Sequence, residues 1–306
     1  MQMNGDRISL GVRAVQIGMP LLLIYGVLQA GAVNNAAAQD IKSEKVSIAL
    51  ASSDGSPMGS MQGTLNIPAG PTPMPAVVIM HSKAGIDGTG AFYAKALNSA
   101  GIASLEIDMF KSGFHPDGGI NKTLPHALGA LSFLVARADI DATRIGAMGF
   151  SWGGNLSLRL AAARQYSRSA DGTRPQIFSA LIGIYPVCYM MVQEAGYAAI
   201  PTFVPMAKMT SASILVLAAE KDDYERPDSC PRFKASLPTE YQDQVEVHVF
   251  PGATHGFDDG RARRVYDTAA NFGRGTTVIY TPDEVVAEQS RRMSVDFLRR
   301  VFAMDR

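Results

Sequence analysis

The chain has 306 residues, 47% of them hydrophobic and 18% charged, with 28 basic side chains against 28 acidic ones. That balance leaves no electrostatic footprint for DNA, RNA or an anionic membrane, and a chain of this length can bury a full core without a metal or a disulfide framework. The arginine clusters at Arg261, Arg263 and Arg264, and at Arg291, Arg292, Arg299 and Arg300, read as solvated faces.

In chain order, Arg7 and Arg13 precede an apolar stretch from Ala14 to Val33 that ends in Ala36, Ala37 and Ala38. A basic start, an apolar middle and a small-residue site predict a secretory signal peptide over residues 1–38, cleaved near Ala38 and directing export to the periplasm or the medium. An uncleaved membrane anchor is the alternative. Gln16, Gly18, Pro20, Gly26 and Gln29 interrupt the run and weaken it as a spanning helix. After signal removal no membrane association is expected.

Residues 39–306 read as a single domain. Lys45–Ala51 and Met61–Ile67, separated by a turn-rich stretch, predict a hairpin. The proline-rich linker from Pro68 to Pro75 predicts neither helix nor central strand. From there, short apolar runs alternate with helical spacing. Strands are predicted at Ala76–Met80, Ile102–Ile107, Arg144–Met148, Phe178–Ile184, Ser213–Ala218 and Val245–Phe250. Helices are predicted at Ala91–Ala100, Leu124–Ala138, Trp152 to about Arg164, and Pro282–Phe302. Continuous apolar runs alternating with helices indicate a mostly parallel sheet covered on both faces, with an added N-terminal antiparallel hairpin. Tyr185–Ala212 and Gly260–Thr281 break the rhythm and read as long connections without regular structure. The apolar first one reads as a substrate-facing wall or a packing insertion.

The chemistry concentrates in Gly149-Phe150-Ser151-Trp152-Gly153-Gly154, a G-x-S-x-G match placed between a strand and a helix. In that setting the serine sits on a strained turn with its hydroxyl at a helix N-terminus, and the flanking glycines let the two backbones approach. A serine hydroxyl needs a positioned base. Five histidines are available. His126 falls in a helix, His248 inside a strand, His115 in a polar loop and His81 at the end of the first sheet strand. His255 follows the last strand on a loop, at the strand edge where open α/β sheets gather functional groups. The acid belongs between serine and histidine in chain order. Asp222 and Asp223 both follow the strand Ser213–Ala218; Asp222 is the preferred orienting acid, and Asp223 a solvated neighbour or helix cap. The oxyanion donors are expected to be the N–H of Trp152 and the N–H of Lys83, with Ser82 as second choice.

These residues together resemble the dienelactone hydrolase family of α/β-hydrolases over about Pro75 to Phe302, in Ala76–His81, the elbow Gly149–Gly154, Leu215–Asp223 with Pro227, Tyr185–Cys188 and the stretch Phe250–Asp258, which implies the α/β-hydrolase fold. The resemblance implies acyl transfer, hence a serine hydrolase of esters or lactones. It departs from the namesake enzymes, which carry a cysteine at the elbow and a glutamate after the first strand, where this chain has Ser151 and His81-Ser82-Lys83. The two cysteines, Cys188 and Cys230, are either buried thiols or a disulfide; the resemblance to exported members implies that they pair.

A serine peptidase of prolyl-oligopeptidase type and a non-catalytic exported binding protein are the competing readings. The first lacks room for the usual gating domain, and the second leaves competent residues at every triad position unexplained. No H-E-x-x-H, paired C-x-x-C, P-loop or dinucleotide fingerprint is present, so neither metal nor cofactor is expected, and the partner is a small-molecule or polymeric ester.

Overall fold

Apolar β-rich runs without polar alternation can pair only where both faces are covered, and the central strands do so. A computed structural model describes residues 40–52, 55–110, 119–162, 176–192, 206 and 208–304. The predicted leader and His115 lie outside these residues. Eight strands form one sheet: β1 (Ile41–Ala51), β2 (Pro57–Pro68), β3 (Met74–Met80), β4 (Ala103–Ile107), β5 (Ile140–Phe150), β6 (Ala180–Ile184), β7 (Ser213–Lys221) and β8 (Val245–Thr254), in the order β1-β2-β4-β3-β5-β6-β7-β8. The β1–β2 hairpin and the β2–β4 pair are antiparallel, and every pair from β4 to β8 is parallel. The expected α/β-hydrolase architecture is borne out.

Helices close both faces: α1 (Thr89–Ser99), α2 (Leu124–Val135), α3 (Trp152–Arg159), α4 (Ser229–Ser236), the short α5 (Thr239–Gln242) and α6 (Ala270–Gly273), and α7 (Glu284–Val301). Along β3 the side chains divide by the strand's period of two. Ala76, Val78 and Met80 join the core under α2 and α3, while Val77 and Ile79 join the one under α1 and α7. Asp283 starts α7 by accepting the N–H groups of Val285 and Val286, both at 3.0 Å, which fixes the end of the connection from the last strands. No helix among the described residues is long and apolar enough to cross a membrane.

Three expectations need correction. Pro75 does lie in a central strand, at the irregularity between the Met74↔Ile140 and Ala76↔Ile145 pairs, where the ladder does not call on its missing N–H. The segment Gly260–Thr281 is not irregular: β9 (Arg263–Asp267) and β10 (Thr276–Tyr280) form a separate antiparallel hairpin. The helix after the predicted acid, α4, has its N-terminal cap position at Asp228 rather than Asp223; it buries Cys230 and Phe233, three residues apart on one face.

The strand order reverses around β3. The chain passes from β3 to β4 on one side, then returns to place β5 on the other. Open α/β sheets bind ligands at such a switch point, beyond the carboxyl ends of the strands. Register aligns those ends: Met80 faces Gly149, Phe150 faces Ile184, and Lys221 faces Thr254.

Candidate active site

Ser151 ends β5 at φ 49° and ψ −106°, a left-handed backbone that a serine adopts only at a cost of about 1–3 kcal/mol. The turn is so tight that glycine is required around it. A Cβ on Gly149 would lie 2.3 Å from the carbonyl carbon of Gly153, and one on Gly153 would lie 2.2 Å from the carbonyl oxygen of Met80. The N–H of Ser151 donates to the Ile184 carbonyl at 2.9 Å, which ties the elbow to β6.

The register pair Lys221↔Thr254 means that the next residues, Asp222 and His255, leave adjacent strands side by side. The Oγ of Ser151 lies 2.8 Å from His255 Nε2, and His255 Nδ1 lies 2.7 Å from Asp222 Oδ2. With the neutral ring protonated at Nδ1, it donates to the carboxylate and leaves Nε2 to accept from the hydroxyl. Asp222 Oδ1 accepts the N–H of Tyr224 at 2.9 Å, so both carboxylate oxygens are engaged. The side chains of Asp222 and His255 are each only 2% exposed. Tyr224, Tyr185 and Tyr280 surround the imidazole with ring centroids 4.4, 4.9 and 5.8 Å away. Sequence reasoning gave Tyr224 and Tyr280 no role and named Tyr185 only as the first residue of the Tyr185–Ala212 connection and of the Tyr185–Cys188 stretch.

Asp223 is half-buried and caps no helix. Its Oδ2 accepts the N–H of Ile279 at 2.8 Å and so pins β10 beside the site. Arg263 is also not a solvated surface group: its guanidinium lies 3.8 Å from the centre of the Tyr280 ring and pairs with Asp259.

The turn after β3 is braced by His81. Buried at 3% exposure, it donates from Nδ1 to the Ser82 carbonyl at 2.7 Å and accepts the N–H of Met109 at Nε2 at 2.9 Å. Burial pulls its pKa down, which keeps the ring neutral and able to do both. The N–H groups of Ala84 and Gly85 are taken by the hydroxyl and carbonyl of Ser82, both at 3.1 Å. Among the described residues, no bond claims the Lys83 N–H or the N–H of Trp152 at the start of α3. The Lys83 ammonium crosses the cleft to Asp267 on β9 at 3.4 Å, and Tyr224 Oη donates to the same carboxylate at 2.8 Å.

Cys188 and Cys230 form a disulfide with a sequence separation of 42 residues. Closing a loop of that length in the unfolded chain stabilises the fold by about 4 kcal/mol. The bond ties the 3₁₀ turn Cys188–Met191 to α4, and Glu225 adds a second tie by accepting the Tyr189 N–H at 2.7 Å. Burial first, and the nearby Asp222 charge second, push the Glu225 pKa up. Ligand atoms of Cys188, Glu225 and Cys230 lie within 4.8 Å of one another, but the disulfide uses both sulfurs, so the cluster offers a metal one carboxylate and no thiolate.

Asp258 holds the aromatic wall. Tyr185 Oη donates to its Oδ1 at 2.5 Å and Tyr93 Oη to its Oδ2 at 2.7 Å, while Tyr93 also meets Ser290 Oγ of α7 at 2.7 Å. Burial pushes the carboxyl from 3.8 up to about 6, against the opposing pull of the two phenol donors. Between those two pH values the native chain binds more protons than the unfolded one. The stability this group contributes is therefore complete below about pH 4 and is lost as pH rises through about 6. Asp258→Asn is expected to flatten that decline by about 2–3 kcal/mol, read from denaturant unfolding at pH 4 and pH 7. A wild-type decline that the variant fully retains would assign it to another group.

The cleft around Ser151 has two lobes, of about 410 and 180 Å³. Ser151, Lys83, Tyr224 and Asp267 border both.

The dienelactone hydrolase family model matches residues 61–281. A comparison with curated proteins found no match. Among solved structures, a candidate dienelactone hydrolase from Klebsiella pneumoniae superposes with a TM-score of 0.60 at 19% identity, covering 85% of this chain and 99% of its own. A dienelactone hydrolase-like promiscuous phosphotriesterase from metagenomic libraries gives 0.59 at 18% identity, covering 85% and 98%. A thermostable carboxylesterase from a metagenomic library gives 0.58 at 17% identity, covering 86% and 90%. At these identities the three structures speak for the fold.

Proposed function

Because the chain belongs to the dienelactone hydrolase family, we propose that it hydrolyses carboxylic esters or lactones through an acyl-enzyme formed on Ser151. The observation that carries this reading is that one imidazole lies within 2.8 Å of the Ser151 hydroxyl and 2.7 Å of the Asp222 carboxylate. In the first step the Ser151 Oγ attacks the acyl carbon while Nε2 of His255 takes its proton. Asp222 stabilises the resulting imidazolium without itself being protonated. The N–H groups of Trp152 and Lys83 receive the negative charge that grows on the carbonyl oxygen, each worth about 10²–10³ in turnover. As the intermediate collapses, the bond to the alcohol oxygen breaks and that oxygen takes the proton from His255. Water, deprotonated by His255, then attacks the acyl-enzyme, and the acid leaves as the proton returns to Ser151.

The roles interlock, so single removals are not additive. Export is part of the same proposal, supported by the N-terminal pattern and by a disulfide that an oxidising compartment would maintain.

The test compares nitrophenyl butyrate with the nitroanilide of the same acid. Hydrolysis of the ester, without turnover of the anilide above background, is the expected result. Preference for the anilide would point to a peptidase, and inertness of folded protein toward both would point to a binding role.

A further inference from the structure

The two lobes differ in which catalytic groups they expose. His255 lines the 410 Å³ lobe and not the smaller one, whereas Trp152 lines the 180 Å³ lobe and not the larger. Where the lobes adjoin, Lys83 and Tyr224 meet at the Asp267 carboxylate, and these three residues border both. This asymmetry fixes a direction for the substrate. When the tetrahedral intermediate collapses, the departing oxygen must take its proton from Nε2 of His255, so the alcohol must lie on the histidine side. The acyl substituent is then left to the other side.

We infer that the larger lobe receives a neutral, hydroxyl-bearing alcohol and the smaller lobe a short apolar acyl group, so that the preferred substrates are short-chain acyl esters of polyols. This rests on the ester-hydrolase reading above and deepens it. The walls supply the chemistry. The small lobe is faced by Ile120, Trp152, Pro186, Val187 and Met190. Among the described residues its one side-chain amide, Asn155, is committed to the carbonyls of Pro186 and Val187 at 2.8 and 3.2 Å and to Arg159 at 2.7 Å. Lys83 and Asp267, which also border it, are paired with each other, so among the described residues little there would repay the desolvation of a polar acyl substituent. With ~30 Å³ as the room taken by one water-sized group, the lobe holds roughly four to six carbons.

The large lobe is the more polar of the two, and its cations are already paired. Lys83 pairs with Asp267 at 3.4 Å, and Arg263 pairs with Asp259 while covering the Tyr280 ring. Asp87 adds a further carboxylate. Among the described residues three carboxylates stand against two cations in this lobe, so an anionic alcohol would meet a net negative wall, and a plain alkyl alcohol would strip water from those carboxylates without replacing it. Hydroxyl groups can donate to them, and the exposed Tyr266 ring offers an apolar surface for the carbon backbone of a polyol.

The experiment measures kcat/KM on four butyrate esters: glycerol monobutyrate, ethyl butyrate, butyrylcholine and the butyrate ester of glycolate. A second series of glycerol monoesters runs from two to twelve acyl carbons. Glycerol monobutyrate is expected to exceed each of the other three by at least about tenfold, and the acyl series to fall beyond about six carbons. Met190→Ala should extend the accepted acyl length and leave the alcohol order unchanged. Tyr266→Ala should reduce the glycerol preference and leave the acyl order unchanged. Thermal melts check that both variants are folded. Ethyl butyrate or a charged ester matching the glycerol ester would overturn the inference, as would Met190→Ala altering alcohol choice instead of acyl length. Failure of folded wild-type protein on every ester in both series would instead sink the hydrolase reading on which the inference stands.

Discussion

Replacing Ser151 by alanine is expected to lower kcat on a short-chain ester by about 10⁴- to 10⁶-fold while the protein remains folded. The size of the loss follows from what disappears. Without the hydroxyl no acyl-enzyme can form, and the only remaining route is direct attack by water, helped by the oxyanion donors and by substrate binding. Stability should change by no more than about 1 kcal/mol, because alanine fits where serine does and the lost hydroxyl contact leaves His255 still bonded to Asp222. The elbow itself is set by Gly149 and Gly153, which the substitution does not touch. Initial rates on nitrophenyl butyrate, beside thermal melts of both proteins, measure the two halves of this expectation. A folded variant retaining a tenth of the activity would move the nucleophile elsewhere.

The Asp222→Asn substitution is expected to lower kcat by about 10⁴-fold, with nearly wild-type packing. Both oxygens of Asp222 act as acceptors, one from the Tyr224 N–H and one from His255 Nδ1. Asparagine has a single acceptor oxygen. If that oxygen keeps the Tyr224 N–H, its amide NH₂ faces Nδ1, and the imidazole must move its proton to Nε2. The ring then presents a hydrogen to Ser151 where a lone pair is needed. Asp223→Ala makes the contrast. Its carboxylate holds the Ile279 N–H of β10 and makes no contact with His255. That variant should keep kcat within about tenfold of wild type and lose instead about 1 kcal/mol of stability at the hairpin. Equal losses from the two substitutions would contradict the assignment of the acid.

Much of this was legible in the sequence because parallel strands buried on both faces leave an unambiguous trace. The runs at Ala76–Met80 and Ile214–Ala218 have no polar residue, and each is followed by a turn. Ser151 and His255 stood out because both are tied to strand ends by short glycine-containing segments. The choice between Asp222 and Asp223 was a different matter. Both sit on one loop with the same chemistry, and only the pairing of Lys221 with Thr254 determines which carboxylate faces the imidazole. The β9–β10 hairpin was illegible for a physical reason: its strands are only five residues long, β9 carries three charged residues, and Val278 is its one fully buried apolar strand residue. The hydrophobic periodicity that marks a strand is absent there. The tyrosine cage could not be read either, since Tyr185, Tyr224 and Tyr280 come from three separated segments that only the fold brings together.

The hairpin changes how the site is understood. It contributes Asp267, which receives both Lys83 and Tyr224, and Tyr280, which packs on the imidazole. One element that looked like a loose connection therefore shapes one wall of the cleft and reaches across to Lys83 in the turn after β3.

Intact-protein mass spectrometry after treatment with a fluorophosphonate tests the central claim most directly. The account predicts a single phosphonyl adduct on the wild-type protein, mapped by peptide analysis to Ser151, and none on Ser151→Ala under the same conditions. An unlabelled wild-type protein of correct fold, or an adduct on another serine, would contradict it.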